Sequence, residues 1–267
     1  MAIQDSFGKL EFFEDFLGIA ASATLADATA GTRYKDVTLI AVSGDVTFTF
    51  TVDESGGVAS FNSDASGAAD GIALTSSPMI PSSNGQLIMV GRWKASAVTD
   101  YRFFCGWQET VSLSEPVNPF TLNGTTLTAN DGGQVAGFYY DTQADVDDVR
   151  FMASSDGTAS TNAAVSQALE GSTDLGSLGI VCAATLAADA WMVARVEIGV
   201  DGTVRAYFGD ESMLLKRGLT LITTLKAGTL DQNAAYHPVM HLAQQSTGNP
   251  THEVDYFGAT GHRDWAK

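Results

Sequence analysis

The stretch Trp191–Phe208, WMVARVEIGVDGTVRAYF, decides how the rest of the chain is read. Asp201-Gly202 stands between two runs of alternating apolar residues, which is the strongest short-range signal for a β-hairpin. The hydrophobic pattern selects its register. A two-residue loop would set Ile198 opposite Arg205 and Val196 opposite Tyr207, mixing apolar and polar side chains on one face. A three-residue loop, Val200-Asp201-Gly202 with Gly202 left-handed, pairs Ile198 with Val204 and Val196 with Ala206. It also pairs Glu197 with Arg205 and Arg195 with Tyr207 on the opposite face. One face is then apolar and the other charge-matched, so the three-residue loop is expected. This hairpin specifies a sheet with one buried face and no reaction.

Composition sets the outer bounds. The chain has 267 residues, of which 45% are hydrophobic and 17% charged. A chain of this length buries roughly 70–75% of its unfolded surface, enough for a core without metals or disulfides. No Pro-rich or charged linker divides it, so residues 1–267 are expected to form a single β-sandwich domain. An N-terminal arm (about 1–9) and long loops at 110–133 and 154–177 complete that expectation. With 31 acidic and 14 basic residues the net charge is −17. There is no basic footprint to neutralise phosphates, so neither nucleic acid nor an anionic membrane is an expected partner. Cys105 and Cys182 each sit in an apolar run and read as free buried thiols, with a single bridge as the alternative. The opening MAIQDSFGKLEFFEDF lacks the basic-then-apolar order of a secretory signal, and the apolar-rich run Leu175–Ala188 is too short to span a bilayer. Synthesis in a cytoplasm is therefore expected.

Working outward, short strands recur between turn signals. Leu10–Leu17 is dense in Phe and reads as a first strand, and 19–31 as a loose connection. In Asp45–Val52, DVTFTFTV, apolar residues alternate with Thr, as in a half-buried strand; Val58–Phe61 returns after Gly56-Gly57. Pro78 and Pro81 mark a strand edge. Gln86–Lys94 and Tyr101–Glu109 are expected to pair as a second hairpin across 95–100, each with a Gly (Gly91, Gly106) where a bend or a close backbone approach is needed. Segment 110–133, with Asn123-Gly124 and Asp131-Gly132-Gly133, is a long excursion of the kind that often makes interactions. Val135–Tyr140 and Val149–Ala153 flank an acidic turn. Residues 154–177 leave room for one short helix from Asn162 to Gly171. Gly179–Ala184, Leu219–Leu225, His237–Ala243 and Glu253–Gly258 add further strands. Many short strands with hardly any helical periodicity predict an all-β antiparallel sandwich or jelly roll with little helix.

Candidate chemistry is sparse. His237 and His241 are four apart, a helix spacing for metal placed here on a strand, and neither they nor His252 and His262 carry a zinc motif. Asp141, Asp145, Asp147 and Asp148 resemble a calcium loop without its central Gly and closing Glu, so a solvated acidic hairpin tip is expected. Glu253 and Asp255 alternate on one strand, and paired carboxylates about 5–5.5 Å apart serve retaining glycosidases, but no third acid follows them. Trp93, Trp107, Trp191 and Trp265 lie in or beside apolar strands and read as packing residues rather than sugar platforms. No catalytic, cofactor or metal residues are assigned, and no enzyme is expected.

Four segments carry a resemblance. VEIGVDGTVRAYF after Trp191, with the closing VDYFGATGHRDW, is similar to the concanavalin A-like (laminin-G-like) jelly roll. EFFEDFLG and VAGFYYDTQADVDDVRFMASSDG resemble head decoration (cement) proteins of tailed phages. The resemblance implies a structural virion protein that docks onto the major capsid protein shell. It also implies a homo-oligomer, a trimer favoured, on the capsid surface. The alternative is a carbohydrate-binding or host-recognition module of a phage tail. The docking contacts are expected in 110–133, in 154–177 and at the N-terminus.

Overall fold

The computed structural model describes residues 9–14, 16, 23–26, 31–51, 57–63, 70–113, 118–123, 126–129, 133–143, 148–154, 160–161, 180–182, 186–210, 219–245, 248 and 250–262. Among them the chain first lays down β1 (Lys9–Glu14), β2 (Ala23–Leu25), β3 (Thr32–Tyr34), β4 (Val37–Val42), β5 (Val46–Thr51), β6 (Val58–Ser63) and β7 (Gly71–Thr75). A helical turn, α1 (Pro81–Asn84), starts on a proline, whose missing N–H has no partner to lose at that position. Then come β8 (Leu87–Ala95), β9 (Tyr101–Gln108), β10 (Phe120–Asn123), β11 (Thr126–Ala129), β12 (Val135–Asp141), β13 (Arg150–Ser154), β14 (Ser160–Thr161) and β15 (Ile180–Val181). The remainder supplies β16 (Met192–Ile198), β17 (Val204–Asp210), β18 (Thr220–Leu225), β19 (His237–Gln244) and β20 (His252–His262).

These strands make two large antiparallel sheets. One runs β18-β17-β16-β8-β20-β6-β5-β2, with β1 alongside the far half of β20; the other runs β15-β13-β12-β9-β19-β7-β4-β3. The all-β sandwich is thus as expected. Its organising hairpin takes the selected register, pairing Ile198 with Val204, Val196 with Ala206 and Glu197 with Arg205. Gly202 closes the turn at φ 76°. Apolar side chains of both sheets meet between them. Phe138 and Phe208 touch across the sandwich with ring centroids 5.0 Å apart, and Trp93 packs edge-on against Phe103 at 5.0 Å. The buried indoles are satisfied: Trp107 Nε1 donates to the Val196 carbonyl at 3.0 Å and Trp93 Nε1 to the Tyr101 hydroxyl at 2.9 Å. Both cysteines are free and buried, and burial pushes their thiols up, Cys182 to about 12.

Several expectations are corrected. Gln86–Lys94 and Tyr101–Glu109 do not pair: β8 belongs to the first sheet and β9 to the second, and the chain crosses between layers at 96–100. Their apolar faces meet through the core instead, which hydrophobic alternation does not distinguish from pairing. Gly106 does mark a close approach, since a Cβ there would lie 2.2 Å from the Ala136 carbonyl oxygen of β12. The loose connection at 19–31 contains β2, which extends the first sheet. Within the excursion 110–133, β10 and β11 pair antiparallel, Asn123 opposite Thr126, and with β14 they make a third, three-stranded sheet. The helix expected between 162 and 171 lies outside the described residues, as do 1–8 of the arm, Asp145, Asp147 and Trp265.

The two large sheets differ in what covers them. In β8 burial alternates residue by residue, so its outer side chains reach solvent. In β9, β12 and β13 every residue is buried. The eight-stranded sheet is therefore covered on both faces, which is why its strands read as continuous apolar runs. Part of the cover is the segment entering β10. Phe120 packs edge-on against Phe104 and Tyr139, with centroids 6.2 and 5.8 Å away.

Candidate functional site

The organising hairpin also positions an open concavity lined by described residues. Its tip is clamped to the loop after β18: Gly228 N donates to the Asp201 carbonyl at 2.8 Å and Leu230 N to the Gly202 carbonyl at 3.3 Å. A Cβ on Gly202 would stand 2.1 Å from the Leu230 carbonyl oxygen, so this approach needs glycine for space as well as for φ. Between tip and loop opens a cleft of about 390 Å³ lined by Gln134, Asp201, Gly228, Leu230, Asp231 and Gln232.

The polar groups of the cleft are held by the backbone around them. Asp201 Oδ1 accepts from Thr203 N at 3.0 Å, and these hydrogen bonds from Thr203 keep the Asp201 carboxyl below the usual range. Asp231 Oδ1 accepts from Asn233 N at 2.9 Å. Gln134 Oε1 accepts from Asp231 N at 2.7 Å and from the Tyr236 hydroxyl at 3.1 Å, which orients its Nε2 amide as the remaining donor. Burial, and then the nearby Glu109 and Asp231, push the Tyr236 phenol up, so it stays a neutral donor. Leu230, 2% exposed, closes the base of the cleft. The cleft thus presents carboxylate acceptors and carboxamide donors at fixed positions beside a small apolar surface. Such an array suits a neutral polyhydroxylated ligand, whose hydroxyls both donate and accept.

The residues singled out from sequence lie elsewhere. Glu253 and Asp255 are on the outer face of the nine-stranded sheet, and each has its own cation. Lys94 Nζ meets Glu253 Oε2 at 2.8 Å and the Arg92 guanidinium pairs with Asp255. The same two cations sit over the Trp191 ring, at 4.5 Å for Arg92 and 4.7 Å for Lys94. Trp191, with Trp93 and Trp107, is a packing residue as expected. Asp141 is not part of a solvated tip: it is 1% exposed and accepts from the Tyr139 hydroxyl, Gln143 N and Gln245 Nε2. Asp148 pairs with Arg150 at 3.2 Å. His237 and His241 share strand β19; His237 Nδ1 meets the Ser76 carbonyl at 2.9 Å and His241 Nδ1 meets Asn118 Nδ2 at 3.2 Å. No group of three or more metal-ligating side chains occurs among the described residues. Sequence reasoning missed the cleft, because Gln134, Asp201 and Asp231 are far apart in the chain and Asp201 had already been read as turn chemistry.

No family model matches the chain, and no curated protein matches it in sequence. Solved structures do resemble it. A protein of unknown function from Shewanella oneidensis MR-1 is similar at TM-score 0.53 and 11% identity, over 100% of this chain and 92% of that one. The Lotus tetragonolobus seed lectin is similar at TM-score 0.50 and 10% identity, over 91% of this chain and 99% of the lectin. The CBM2 module of the evolved Dit of Lactobacillus casei BL23 phage J-1 follows at TM-score 0.48 and 10% identity, over 97% and 98%. At these identities the likeness is one of fold. The chain is a lectin-like, concanavalin A-like jelly-roll sandwich.

Proposed function

We propose that this protein is a carbohydrate-binding module whose site is the cleft at the tip of the β16–β17 hairpin. The observation that carries this reading is the composition of the cleft: about 390 Å³ of open space between two carboxylates and two carboxamides, with the Leu230 floor. That volume lies within the range of small-molecule sites, roughly 300–1,000 Å³. Asp201 and Asp231 accept from paired sugar hydroxyls, and Gln134 and Gln232 donate to them. A lectin among the proteins of similar fold supports the reading by analogy of fold alone. Among the described residues no comparable surface feature favours capsid decoration, the first expectation from the resemblance, whereas the cleft favours the alternative of a glycan-binding module.

No aromatic side chain among the described residues lines the cleft, so the site is expected to bind weakly. The test is a glycan array followed by titration calorimetry with the best neutral oligosaccharide. Asp201→Asn is expected to weaken binding at least tenfold with little change in the thermal midpoint; Gln134→Ala is expected to weaken it as far and also to lower the midpoint, because it removes the acceptor of Asp231 N and of the Tyr236 hydroxyl. Unchanged affinity in both variants, or no neutral glycan bound at all, would overturn the reading.

A further inference from the structure

On the outer face of the nine-stranded sheet the carboxylates have cations of their own: Glu253 has Lys94, Asp255 has Arg92, and Glu197 has Arg195 and Arg205. The two carboxylates of the hairpin-tip cleft do not. Neither Asp201 nor Asp231 makes an ion pair with any described residue, and no lysine or arginine is among the described residues that line the cleft. Both side chains are exposed, on either side of about 390 Å³ of open space.

Neutral groups hold these carboxylates in place. Asp231 Oδ1 accepts from the Asn233 N–H at 2.9 Å and from the Asn233 side-chain amide at 3.3 Å, while its Oδ2 accepts from no described residue. Asp201 Oδ1 accepts from Thr203 N at 3.0 Å. Hydrogen bonds from Thr203 first, and the charge of Arg205 last, keep the Asp201 carboxyl below the usual range, so it is ionised. An ionised carboxylate has about four acceptor positions, so both keep capacity for a ligand. A third carboxylate stands behind them: Glu109 Oε2 accepts from Gln134 N at 2.9 Å. The cleft is therefore a negative pocket whose charge the protein leaves unmatched.

We propose that this cleft selects a cationic amino sugar, a glycan with a free 2-amino group, over its neutral and N-acetylated counterparts. This preference rests on the carbohydrate-binding reading of the same cleft and narrows its ligand; neutral sugars bind there less tightly. A protonated amine is a compact cation with three donors, and its hydrogen bonds to carboxylates are roughly twice as strong as those of a hydroxyl. Gln134 and Gln232 remain for the neighbouring hydroxyls. N-acetylation removes the charge and all but one of the donors. A calcium ion wants about six to eight oxygen ligands, and no group of three or more ligating side chains occurs among the described residues, so an ammonium suits this pair of carboxylates better than a metal does. The net charge of −17 acts in the same direction, drawing cationic ligands in and opposing uronates and sulfated glycans.

Titration calorimetry on the full chain, at pH 6 and low salt, compares the β-1,4-linked trisaccharides of glucosamine, N-acetylglucosamine and glucose, which share a backbone and differ at C2. The glucosamine trisaccharide is expected to bind about tenfold more tightly than the other two. Most of that ratio is expected to vanish in 1 M NaCl, where charges are screened beyond about 3 Å. Asp231→Asn keeps an acceptor for Asn233 and removes one of the two charges, and is expected to bring the ratio to about threefold or less. Should that variant fail to fold, the salt dependence of the wild-type protein gives the answer. Equal affinity for the three sugars overturns the amino-sugar preference and leaves the neutral reading standing. A ratio that survives both 1 M NaCl and a folded Asp231→Asn overturns it as well. Spermidine bound as tightly as the glucosamine trisaccharide overturns the sugar assignment and leaves a polyamine site. The glucosamine trisaccharide bound through Asp231, with no neutral glycan bound at all, keeps the charge preference and sinks the neutral reading alone. No trisaccharide bound sinks both.

Discussion

At the scale of single residues, Gly202 carries two constraints at once. Its φ of 76° is the left-handed conformation that closes a three-residue hairpin loop, and its α-carbon lies under the Leu230 carbonyl, where a Cβ would be only 2.1 Å away. Either constraint alone favours glycine; together they leave no relaxed alternative. Gly202→Ala is expected to destabilise the protein by roughly 2–4 kcal/mol, combining the left-handed penalty with a forced shift of the 226–230 loop. Urea unfolding of the variant measures it, and a loss below about 1 kcal/mol would mean that the loop yields freely. The cleft is framed by that same loop, so the variant is also expected to lose glycan binding.

At the scale of elements, the hairpin's two faces contribute differently. Its inner face meets β9, where Trp107 donates to the Val196 carbonyl across the sandwich. Trp107→Phe removes that hydrogen bond and opens a small void, and a cost of roughly 1–3 kcal/mol is expected. On the outer face Glu197 receives Arg195 at 2.5 Å, Arg205 at 3.8 Å and Gln86 Nε2 at 2.7 Å, and the neighbouring strands add the pairs of Lys94 with Glu253 and Arg92 with Asp255. The Lys94–Glu253 and Arg92–Asp255 pairs are partly exposed, where ion pairs are worth little, whereas the Glu197 carboxylate is itself buried. Lys94→Ala is therefore expected to cost at most about 1 kcal/mol by the same measurement. A reversal of that order would place the stability of the sheet on its charged face instead of in the core.

At the scale of the whole molecule, covering both faces of one sheet encloses ionisable groups. His241 lies on the outer face of that sheet, and His252 lies against Tyr101 with ring centroids 5.5 Å apart. Burial holds both at about 3, with Arg102 adding to the effect at His241. Unfolded histidines take up protons as pH falls through about 6.5, while these do so only near 3. Stability is thus fully present above about 6.5 and is lost on acidification across that window, by up to roughly 1.4 kcal/mol per pH unit for each histidine. Urea midpoints at pH 7 and pH 5 are expected to differ accordingly. His252→Phe, which keeps a ring against Tyr101, is expected to flatten the dependence, and an identical midpoint at both pH values in the wild type would contradict the enclosure of the two rings.

By itself the sequence determined the organising hairpin and the class of the fold. The alternation around Asp201-Gly202 was enough to place the hairpin and its register, because a one-residue slip would move every apolar side chain of a strand to the wrong face. Strand-rich composition and turn spacing were enough for an all-β sandwich. Only the tertiary structure decided which strands share a sheet. β8 and β9 are consecutive and both apolar toward the core, yet they face each other across it, since the same pattern serves pairing within a layer and packing between layers. Only the fold, too, brought Gln134, Asp201 and Asp231 around one cleft. Those residues are separated by long stretches of chain, and a site assembled by strand order leaves no local signature. Hydrophobic periodicity is a property of each strand and its two faces; strand order is a property of all the strands competing for one core.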